Sequence, residues 1–307
     1  MKAIRFEQYG PPEVLALVDA DEPHPQAGQV RIKVRAVGVN GLDWKIRAGH
    51  LREVFEVTLP SGTGSDAAGI VDEVGEGVTG VQAGDAVFGT GRGVLAEYAV
   101  LDVWAPMPDG LSFEEAAGYP VPVETAFRIL EQVGIEPGQT LLVSGASGGV
   151  GTAVVQIAHE RGITVIGTAG PAHQDYLRGL GAVPTTYGDG LVDRVRALAP
   201  SGVDAALDIS GSGVVAECIE LTGDPAKVLS IADFTAVEQG AKVSFEATEM
   251  ATALREAATL YTKGVLHIPV EYNTFALADS AAAQAHNAAG HAAGRTVVTV
   301  PDPRAEN

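Results

Sequence analysis

TLLVSGASGGVGTAVVQIAHERG, from Thr140 to Gly162, is the stretch that decides the fold. Its apolar start, Leu141 to Val143, predicts a buried strand. Closely spaced glycines then indicate a tight turn, and apolar residues recur at helical spacing from Val150 to Ala158. The stretch therefore predicts a strand, a glycine loop and the start of a helix.

A glycine loop at the start of a helix suits the binding of an anion. Unpaired backbone N–H groups and the positive end of the helix dipole point to one place, and glycines let a pyrophosphate approach the backbone. The spacing Gly145, Gly148 and Gly151 departs from G-x-G-x-x-G, so the motif alone leaves other kinds of loop open.

Three other loop types each require specific residues, whose presence can be checked in the sequence. A Walker loop needs Gly-Lys-Ser/Thr, but Thr152 follows Gly151 directly. A nucleophile elbow would use Ser147, with Asp208 and later histidines in hydrolase order, yet hydrolases place several sheet strands before the elbow. A short-chain reductase needs Tyr-x-x-x-Lys, and none of the seven tyrosines has a lysine four residues on. The hydrolase stays as the alternative to a nucleotide-binding loop.

Composition narrows the class of protein. The chain has 307 residues, 46% of them hydrophobic, which is enough for two domains with packed cores. A net charge of −19 disfavours nucleic acid and anionic membranes as partners. The N-terminus lacks the apolar region of a signal peptide, and Cys218 is the one cysteine, so we expect a cytoplasmic protein without disulfides. One cysteine and scattered histidines also predict no metal site.

The first 118 residues predict a small, mostly β, barrel-like domain. Short strands are expected over Val30 to Val39, Gly69 to Val74, Ala86 to Gly89 and Leu95 to Val100. Asn40 and Asp43 follow the first of these strands, where catalytic groups often lie. The alternative is that they only cap a helix that begins there.

Beyond Pro120 strands alternate with helices, which is typical of a doubly wound parallel sheet. A helix is expected over Leu191 to Leu198 and a longer one over Glu246 to Tyr261. Strands over Val265 to Ile268 and Pro269 to Thr274, a helix over Leu277 to Ala289 and a strand over Arg295 to Val300 complete the chain, and the last three return to the first domain.

The end of the second strand predicts the cofactor. NAD sites commonly place an acid there to bind the ribose 2′-hydroxyl, whereas NADP sites avoid it and add a basic group. Here the strand ends at Thr168 and Gly170 with no acid, and His173 follows, so we expect NADPH. Arg178 is interpreted as an ordinary solvated helix residue.

Taken together, these segments resemble the zinc-independent medium-chain dehydrogenases/reductases, and among them the NADPH:quinone oxidoreductase (zeta-crystallin-like) group. The stretches that carry the resemblance are MKAIRFEQYGPPEVL, VGVNGLDWKIRAG, GSDAAGIVDEVGEGVTGVQAGDAVFG, AEYAV and SGASGGVG, which lie between Met1 and Gly151. The order of the domains extends the resemblance from end to end of the chain. The resemblance implies an α/β protein with a GroES-like β-rich catalytic domain (1–120 and 265–307), a Rossmann NADP-binding domain (121–264) and a homodimer.

The resemblance also implies roles for single residues. The cofactor-binding set is Asn40, Thr125, Ser147, Gly148, Gly149, Val150, Thr168, Gly170, His173, Tyr187, Ser210, Ile231, Ala232 and Phe234. Catalysis is assigned to Asn40, Asp43 and Lys45. Tyrosines that some relatives carry near Lys45 and Leu51 are missing, so a proton donor does not carry over, and Lys45 and His50 are candidate replacements.

The predicted reaction is hydride transfer from NADPH to a quinone or to an α,β-unsaturated carbonyl, without a metal. One alternative is a reductase of enoyl thioesters or biosynthetic enones. Another is an NADPH-binding protein with little turnover and a structural or sensing role.

Overall fold

The computed structural model describes residues 1–247, 249–270, 274–290 and 293–301. The chain divides into two compact units. The first comprises Met1–Val121, Met250–Thr262 and the described part of Ile268–Asn307; the second comprises Pro122–Glu249 and Lys263–His267. No helix among the described residues has the length and apolar character needed to cross a membrane.

Short strands dominate the first part of the chain. The elements are β1 (Lys2–Phe6), β2 (Ala16–Asp19), β3 (Val30–Gly38), α1 (Gly41–Ala48), β4 (Ser61–Gly62), β5 (Asp66–Val74), β6 (Ala86–Gly91), β7 (Tyr98–Pro106) and α2 (Phe113–Ala116). β1 pairs antiparallel with both β2 and β4. The strand predicted over Leu95 to Val100 corresponds to β7, which starts later, at Tyr98.

Strands and helices alternate in the second unit. The elements are α3 (Pro120–Val133), β8 (Thr140–Ser144), α4 (Gly149–Glu160), β9 (Thr164–Thr168), α5 (Gln174–Gly179), β10 (Val183–Thr185), α6 (Leu191–Leu198), β11 (Ala205–Asp208), α7 (Val215–Thr222), β12 (Val228–Ser230) and β13 (Lys242–Val243). The sheet is parallel with the order β10-β9-β8-β11-β12-β13, which is the Rossmann order. The order reverses between β8 and β11, so a ligand is expected at the carboxyl ends of these strands.

The tail of the chain supplies α8 (Met250–Thr262), β14 (Phe275–Ala276), α9 (Ser280–Ala289) and β15 (Val297–Thr299). β15 pairs with β3, and β3 pairs with β5 and β7, so the sheet β14-β15-β3-β5-β6-β7 closes into a barrel. Its core consists of fully buried side chains such as Ile32, Val34, Leu101 and Val298. The predicted fold class, a β-rich GroES-like unit plus a Rossmann unit, is confirmed.

Some predicted elements differ in the structure. The helix expected from Glu246 begins at Met250, and α8 lies in the first unit because it packs on β7. The domain prediction placed this helix in the Rossmann domain (121–264); the functional boundaries stay a prediction. The strand expected over Pro269 to Thr274 falls partly outside the described residues, since 271–273 are not among them.

The strand predicted over Val265 to Ile268 is wrong. Leu266 and Ile268 are buried as a strand pattern would require, but no ladder forms there. Instead the Gln156 side chain donates to the His267 carbonyl (2.9 Å) and accepts its N–H (3.0 Å). Because one side chain satisfies both backbone groups, the segment needs no neighbouring strand.

Candidate active site

The glycine loop is fixed by the strand beside it. β8 ends at Ser144, and Gly145 turns the chain with a φ of +83°, a conformation that favours glycine. The Gly145 N–H donates to Thr168 Oγ1 (3.2 Å), and the Ala146 N–H donates to the Thr168 carbonyl (3.0 Å). Thr168, which is buried at the end of β9, therefore holds the loop in place.

The start of α4 is open to an anion. Gly148 is the N-cap residue with extended backbone, and as a glycine it has no side chain that could cap the first turn. The N–H groups of that turn and the helix dipole thus point to one place, as phosphate binding requires. The four residues predicted to bind pyrophosphate, Ser147 to Val150, lie here and are each half-buried.

Close packing beneath the loop explains the last glycine of the motif. A Cβ on Gly151 would lie 2.3 Å from the Gly145 oxygen and 2.6 Å from Ala146 Cα. Both are backbone atoms, so no rotamer change could relieve the clash. Gly151 therefore lets α4 approach the turn closely enough to direct its N–H groups at the loop.

No acid stands at the end of β9. The chain passes from Thr168 through Gly170 into a short 3-10 turn, Pro171–His173, and His173 is half-buried. A Cβ on Gly170 would lie 3.7 Å from Tyr187 Oη, so the exposed Tyr187 ring stands beside this strand end. The structure brings Gly170 and Tyr187 together at the place where the adenosine ribose is expected.

The arginines near this strand end have other partners. Arg178 forms an exposed ion pair with Asp175, as its interpretation as a solvated residue anticipated. The Arg194 head group donates to the carbonyls of Thr186 and Asp189. Among the basic residues that follow the end of β9, His173 is the nearest in sequence and is not engaged by these contacts.

A network of serines joins the carboxyl ends of the central strands. Ser210 Oγ lies 2.8 Å from Ser144 Oγ and donates to Asp208 Oδ1 (3.2 Å). Asp208 is fully buried and also accepts from Ser230 Oγ (2.8 Å). The predicted cofactor residue Ser210 is thus tied to the end of β8 directly and to the ends of β11 and β12 through the Asp208 carboxylate.

The segment after β12 uses its backbone internally. The Ile231 N–H donates to the Asp208 carbonyl (3.0 Å), and the Ala232 N–H donates to Ser230 Oγ (3.1 Å). Phe234 is exposed and meets Phe245 edge to face at 5.8 Å. Because both N–H groups are engaged, any backbone contact of Ile231 and Ala232 with a ligand falls to their carbonyls.

Thr125 lies in a buried polar cluster of α3. It is 6% exposed, and its Oγ1 accepts from Arg128 Nη2 (3.4 Å). Arg128 pairs with Glu124 (3.0 Å) and donates to Ser244 Oγ. The buried ion pair therefore orients Thr125.

A second polar cluster is buried in the first unit. Asn40 is the N-cap of α1 and forms a capping box with Asp43, whose Oδ2 accepts the Asn40 N–H at 2.8 Å. Asn40 Nδ2 donates to Asp66 Oδ2 (2.9 Å) and to Ser65 Oγ (3.2 Å), and Ser65 Oγ donates to Asp43 Oδ1 (3.4 Å). Asn40 and Asp43 thus cap the helix, as the alternative interpretation expected.

Arg295 brings a positive charge into this cluster from the other end of the chain. Its Nη2 donates to Asp66 Oδ2 (3.4 Å), and Asp66 also accepts the Val121 N–H at 3.1 Å. A Cβ on Gly38 would lie 2.7 Å from Arg295 Nη2, and one on Gly118 would lie 3.0 Å from Arg295 Cγ. The two glycines therefore leave a channel through which the arginine reaches the carboxylate.

Burial changes the proton affinity of these groups. It raises the pKa of Asp43 to about 6 and that of Asp66 to about 7, because desolvation outweighs the attraction of Arg295 and the hydrogen bonds. Burial also lowers the pKa of Arg295. Two buried carboxyl groups thus share one arginine, and both titrate near neutrality.

Lys45 and His50 lie against one aromatic ring. The Lys45 ammonium is 5.7 Å from the centre of the Trp44 ring, and the His50 ring meets it edge to face at 5.9 Å. Both are predicted candidates for the proton donor, and the structure groups them around Trp44 at the end of α1.

Comparison with known proteins decides the family. The alcohol dehydrogenase GroES-like domain model matches residues 26–109, and the zinc-binding dehydrogenase model matches residues 149–245. The solved quinone oxidoreductase of Coxiella burnetii is 30% identical, with a TM-score of 0.85 over 98% of this chain and 99% of that one. This chain belongs to the quinone oxidoreductase group of the medium-chain dehydrogenases/reductases.

Other members of the group match over different lengths. The Escherichia coli quinone oxidoreductase, solved in complex with NADPH, is 25% identical with a TM-score of 0.85, over 97% of this chain and all of that one. The Rattus norvegicus quinone oxidoreductase is 44% identical over 176 residues, which are 55% of this chain and 53% of the relative. In sequence, the chain spans about half the length of the curated relatives it matches.

Membership in the quinone oxidoreductase group settles the interpretation of the loop. The hydrolase alternative required Ser147 as a nucleophile, and within the described residues its side chain has no hydrogen bond to a histidine or a carboxylate. No side-chain role was predicted from the sequence for Ser65, Asp66 and Arg295, and Asp208 was considered only as the acid of the hydrolase alternative. Acids at the ends of apolar strands were the available signal for Asp66 and Asp208.

Proposed function

We propose that this chain is an oxidoreductase that uses NADPH to reduce a quinone. The observation that carries the proposal is the glycine N-cap of α4 beside a strand end whose sequence contains no acid. The first feature suits a pyrophosphate, and the second suits a phosphorylated ribose. The NADPH complex of the Escherichia coli relative supports the same cofactor.

The residues present fit the cofactor. Ser147, Gly148, Gly149 and Val150 would bind the pyrophosphate through the open first turn of α4, and Thr168 would act through the loop that it holds. Gly170, His173 and Tyr187 would surround the phosphorylated ribose. Thr125, Ser210, Ile231, Ala232 and Phe234 would lie toward the nicotinamide, together with Asn40. When bound, NADPH supplies the hydride.

The acceptor side is assigned to the start of α1. Asn40 would contact the reacting groups, while Asp43 holds Asn40 through the capping box and Lys45 provides a positive charge near the substrate. In this proposal the catalytic domain comprises residues 1–120 and 265–307, and the NADP-binding domain comprises 121–264. A metal is not part of the mechanism.

A second acceptor class shares the same chemistry. In a quinone the hydride adds to the conjugated ring or its oxygen, and in an α,β-unsaturated carbonyl it adds to the β-carbon. Each product is an anion that then needs one proton. An enone, an alkenal or an enoyl thioester is therefore the runner-up substrate.

We further propose that the protein is a cytoplasmic homodimer without nucleic-acid or membrane partners. β13 stands at the edge of the second unit's sheet with β12 as its neighbour, so a second copy can pair there. The net charge of −19 opposes association with anionic surfaces. Light scattering of the purified protein measures the oligomeric state.

One experiment separates the candidate functions. Purified protein is mixed with NADPH and, in turn, a benzoquinone, a 2-alkenal and an enoyl thioester, while NADPH absorbance is followed. Fastest oxidation with the quinone is expected. Tight NADPH binding without oxidation by any acceptor would favour a sensing protein, and equal binding of NADH would contradict the cofactor assignment.

A further inference from the structure

Ser65 is the member of the buried acid cluster that reaches the surface. Asn40, Asp43, Asp66 and Arg295 are each between 0% and 6% exposed, whereas Ser65 is half-buried. Its hydroxyl lies 3.2 Å from Asn40 Nδ2 and donates to Asp43 Oδ1 at 3.4 Å. The Ser65 hydroxyl can therefore pass a proton from Asp43 to a ligand that lies beside Asn40.

The charges in the cluster favour a retained proton. Asp43 faces Asn40, Ser65 and Arg295, and Asp66 faces Arg295, Asn40, Asp43 and the Val121 N–H. Two carboxyl groups and one guanidinium leave one negative charge in excess when all are ionised. Because the site is buried, keeping one carboxyl group neutral removes that charge.

We propose that Ser65 is the catalytic residue that protonates the reduced substrate, with Asp43 behind it as the source of the proton. The inference rests on the proposed function, which places Asn40 beside the reacting groups. Ser65 is one hydrogen bond from Asn40, so the same placement puts its hydroxyl within reach of the substrate oxygen.

The proton step balances without another reactant. After hydride transfer the acceptor is a hydroquinone or enolate monoanion whose oxygen carries the charge. The Ser65 hydroxyl first turns its O–H from Asp43 Oδ1 to that oxygen. The Ser65 O–H bond then breaks as an O–H bond forms on the substrate oxygen, and the Ser65 oxygen takes the proton of the neutral Asp43 carboxyl. Asp43 is left as a carboxylate, and solvent returns its proton before the next turnover. A relay through the hydroxyl avoids a free alkoxide, because both transfers occur together.

The test compares Ser65→Ala with Ser65→Thr, which keeps the hydroxyl, and with Ser61→Ala. Ser61 is the matched control because its half-buried hydroxyl lies four residues away and donates to the Gly62 carbonyl, outside the cluster. Ser65→Ala is expected to lower kcat with the quinone by about a hundredfold, the lower range for general acid catalysis. NADPH affinity, measured by fluorescence titration, should stay unchanged, and Ser65→Thr should restore most of kcat.

The pH profile provides a second readout. In the wild type kcat should fall as the pH rises through about 6, because Asp43 then loses the proton that it supplies. Ser65→Ala should lose this dependence, and Ser61→Ala should keep it.

The third readout needs no cofactor or turnover. Infrared titration of the protein alone should show a protonated carboxyl band that disappears between about pH 5 and 8, and Ser65→Ala should shift its frequency because the hydroxyl donates to Asp43. Absence of such a band, or a wild-type kcat and pH profile in Ser65→Ala, would overturn the inference while leaving the quinone activity standing. A wild type that reduces none of the acceptors would overturn the proposed function as well.

Discussion

Gly151→Ala tests the geometry of the nucleotide loop most directly. The new Cβ would lie 2.3 Å from the Gly145 oxygen, whereas ordinary contacts begin near 3.4 Å, so the backbone must move by about 1 Å. The atoms that must move belong to the turn that Thr168 holds by two hydrogen bonds. The substitution therefore strains the fold and displaces the N–H groups of α4 at the same time.

The expected size of both effects follows from these contacts. Overpacking costs roughly 1–3 kcal/mol, which corresponds to a fall in Tm of about 2–4 °C per kcal/mol in a protein of this size class. A hydrogen bond to a charged phosphate contributes roughly 1.5–3 kcal/mol, so its loss should raise the Kd for NADPH by about tenfold to a hundredfold. Thermal melting, monitored by fluorescence, measures Tm, and titration with NADPH measures Kd.

Gly148→Ala is the matched control for stability. A Cβ there would have its nearest neighbour at 3.8 Å, and the φ of −75° suits any residue. Its Tm should fall by much less than that of Gly151→Ala, although its affinity for NADPH can change because it lies in the proposed phosphate site. A Gly151→Ala protein with wild-type Tm and Kd, or equal losses of Tm in both variants, would refute the packing argument.

Three further predictions concern single residues. Burial raises the pKa of the Cys218 thiol to about 12, so iodoacetamide should not label the native protein at neutral pH, as mass spectrometry would show; labelling as fast as in urea would contradict this. Arg128→Met removes the cation that pairs with the buried Glu124 carboxylate. It should lower the free energy of unfolding by about 3–5 kcal/mol in urea titrations, with partial recovery in the double variant Glu124→Leu/Arg128→Met. His173→Ala should raise the KM for NADPH but not for NADH; an equal rise for both cofactors would count against a contact with the 2′-phosphate.

Local pattern was enough for the Rossmann unit. The strand, loop and helix at Thr140 to Gly162 and the helix at Leu191–Leu198 were predicted from apolar spacing and glycines alone, because these signals lie within each stretch itself. The strand at Val265 to Ile268 failed since its apolar residues are buried without a ladder. A burial pattern predicts which side chains are buried. Whether the backbone forms a strand depends on the group that it hydrogen-bonds with, which here is the Gln156 side chain.

The acid cluster lay beyond the reach of local pattern. Asp66 meets Asn40 26 positions away, Val121 55 positions away and Arg295 229 positions away. Asn40 and Asp43 were found because they follow a strand and begin a helix, which is a local signal. Nothing near Asp66 in the sequence indicates that an arginine would reach it through the channel at Gly38 and Gly118.

The place of Arg295 in the chain also sets the order in which the protein can finish folding. During synthesis the barrel strands leave the ribosome first, and Asp66 must wait while the whole Rossmann unit is made before its cation arrives. Until then the barrel lacks both β14 and β15, and Asp66 lacks its Arg295 partner. The unit that is synthesised first is thus completed last, and the ion pair acts as the closing step of the chain's assembly.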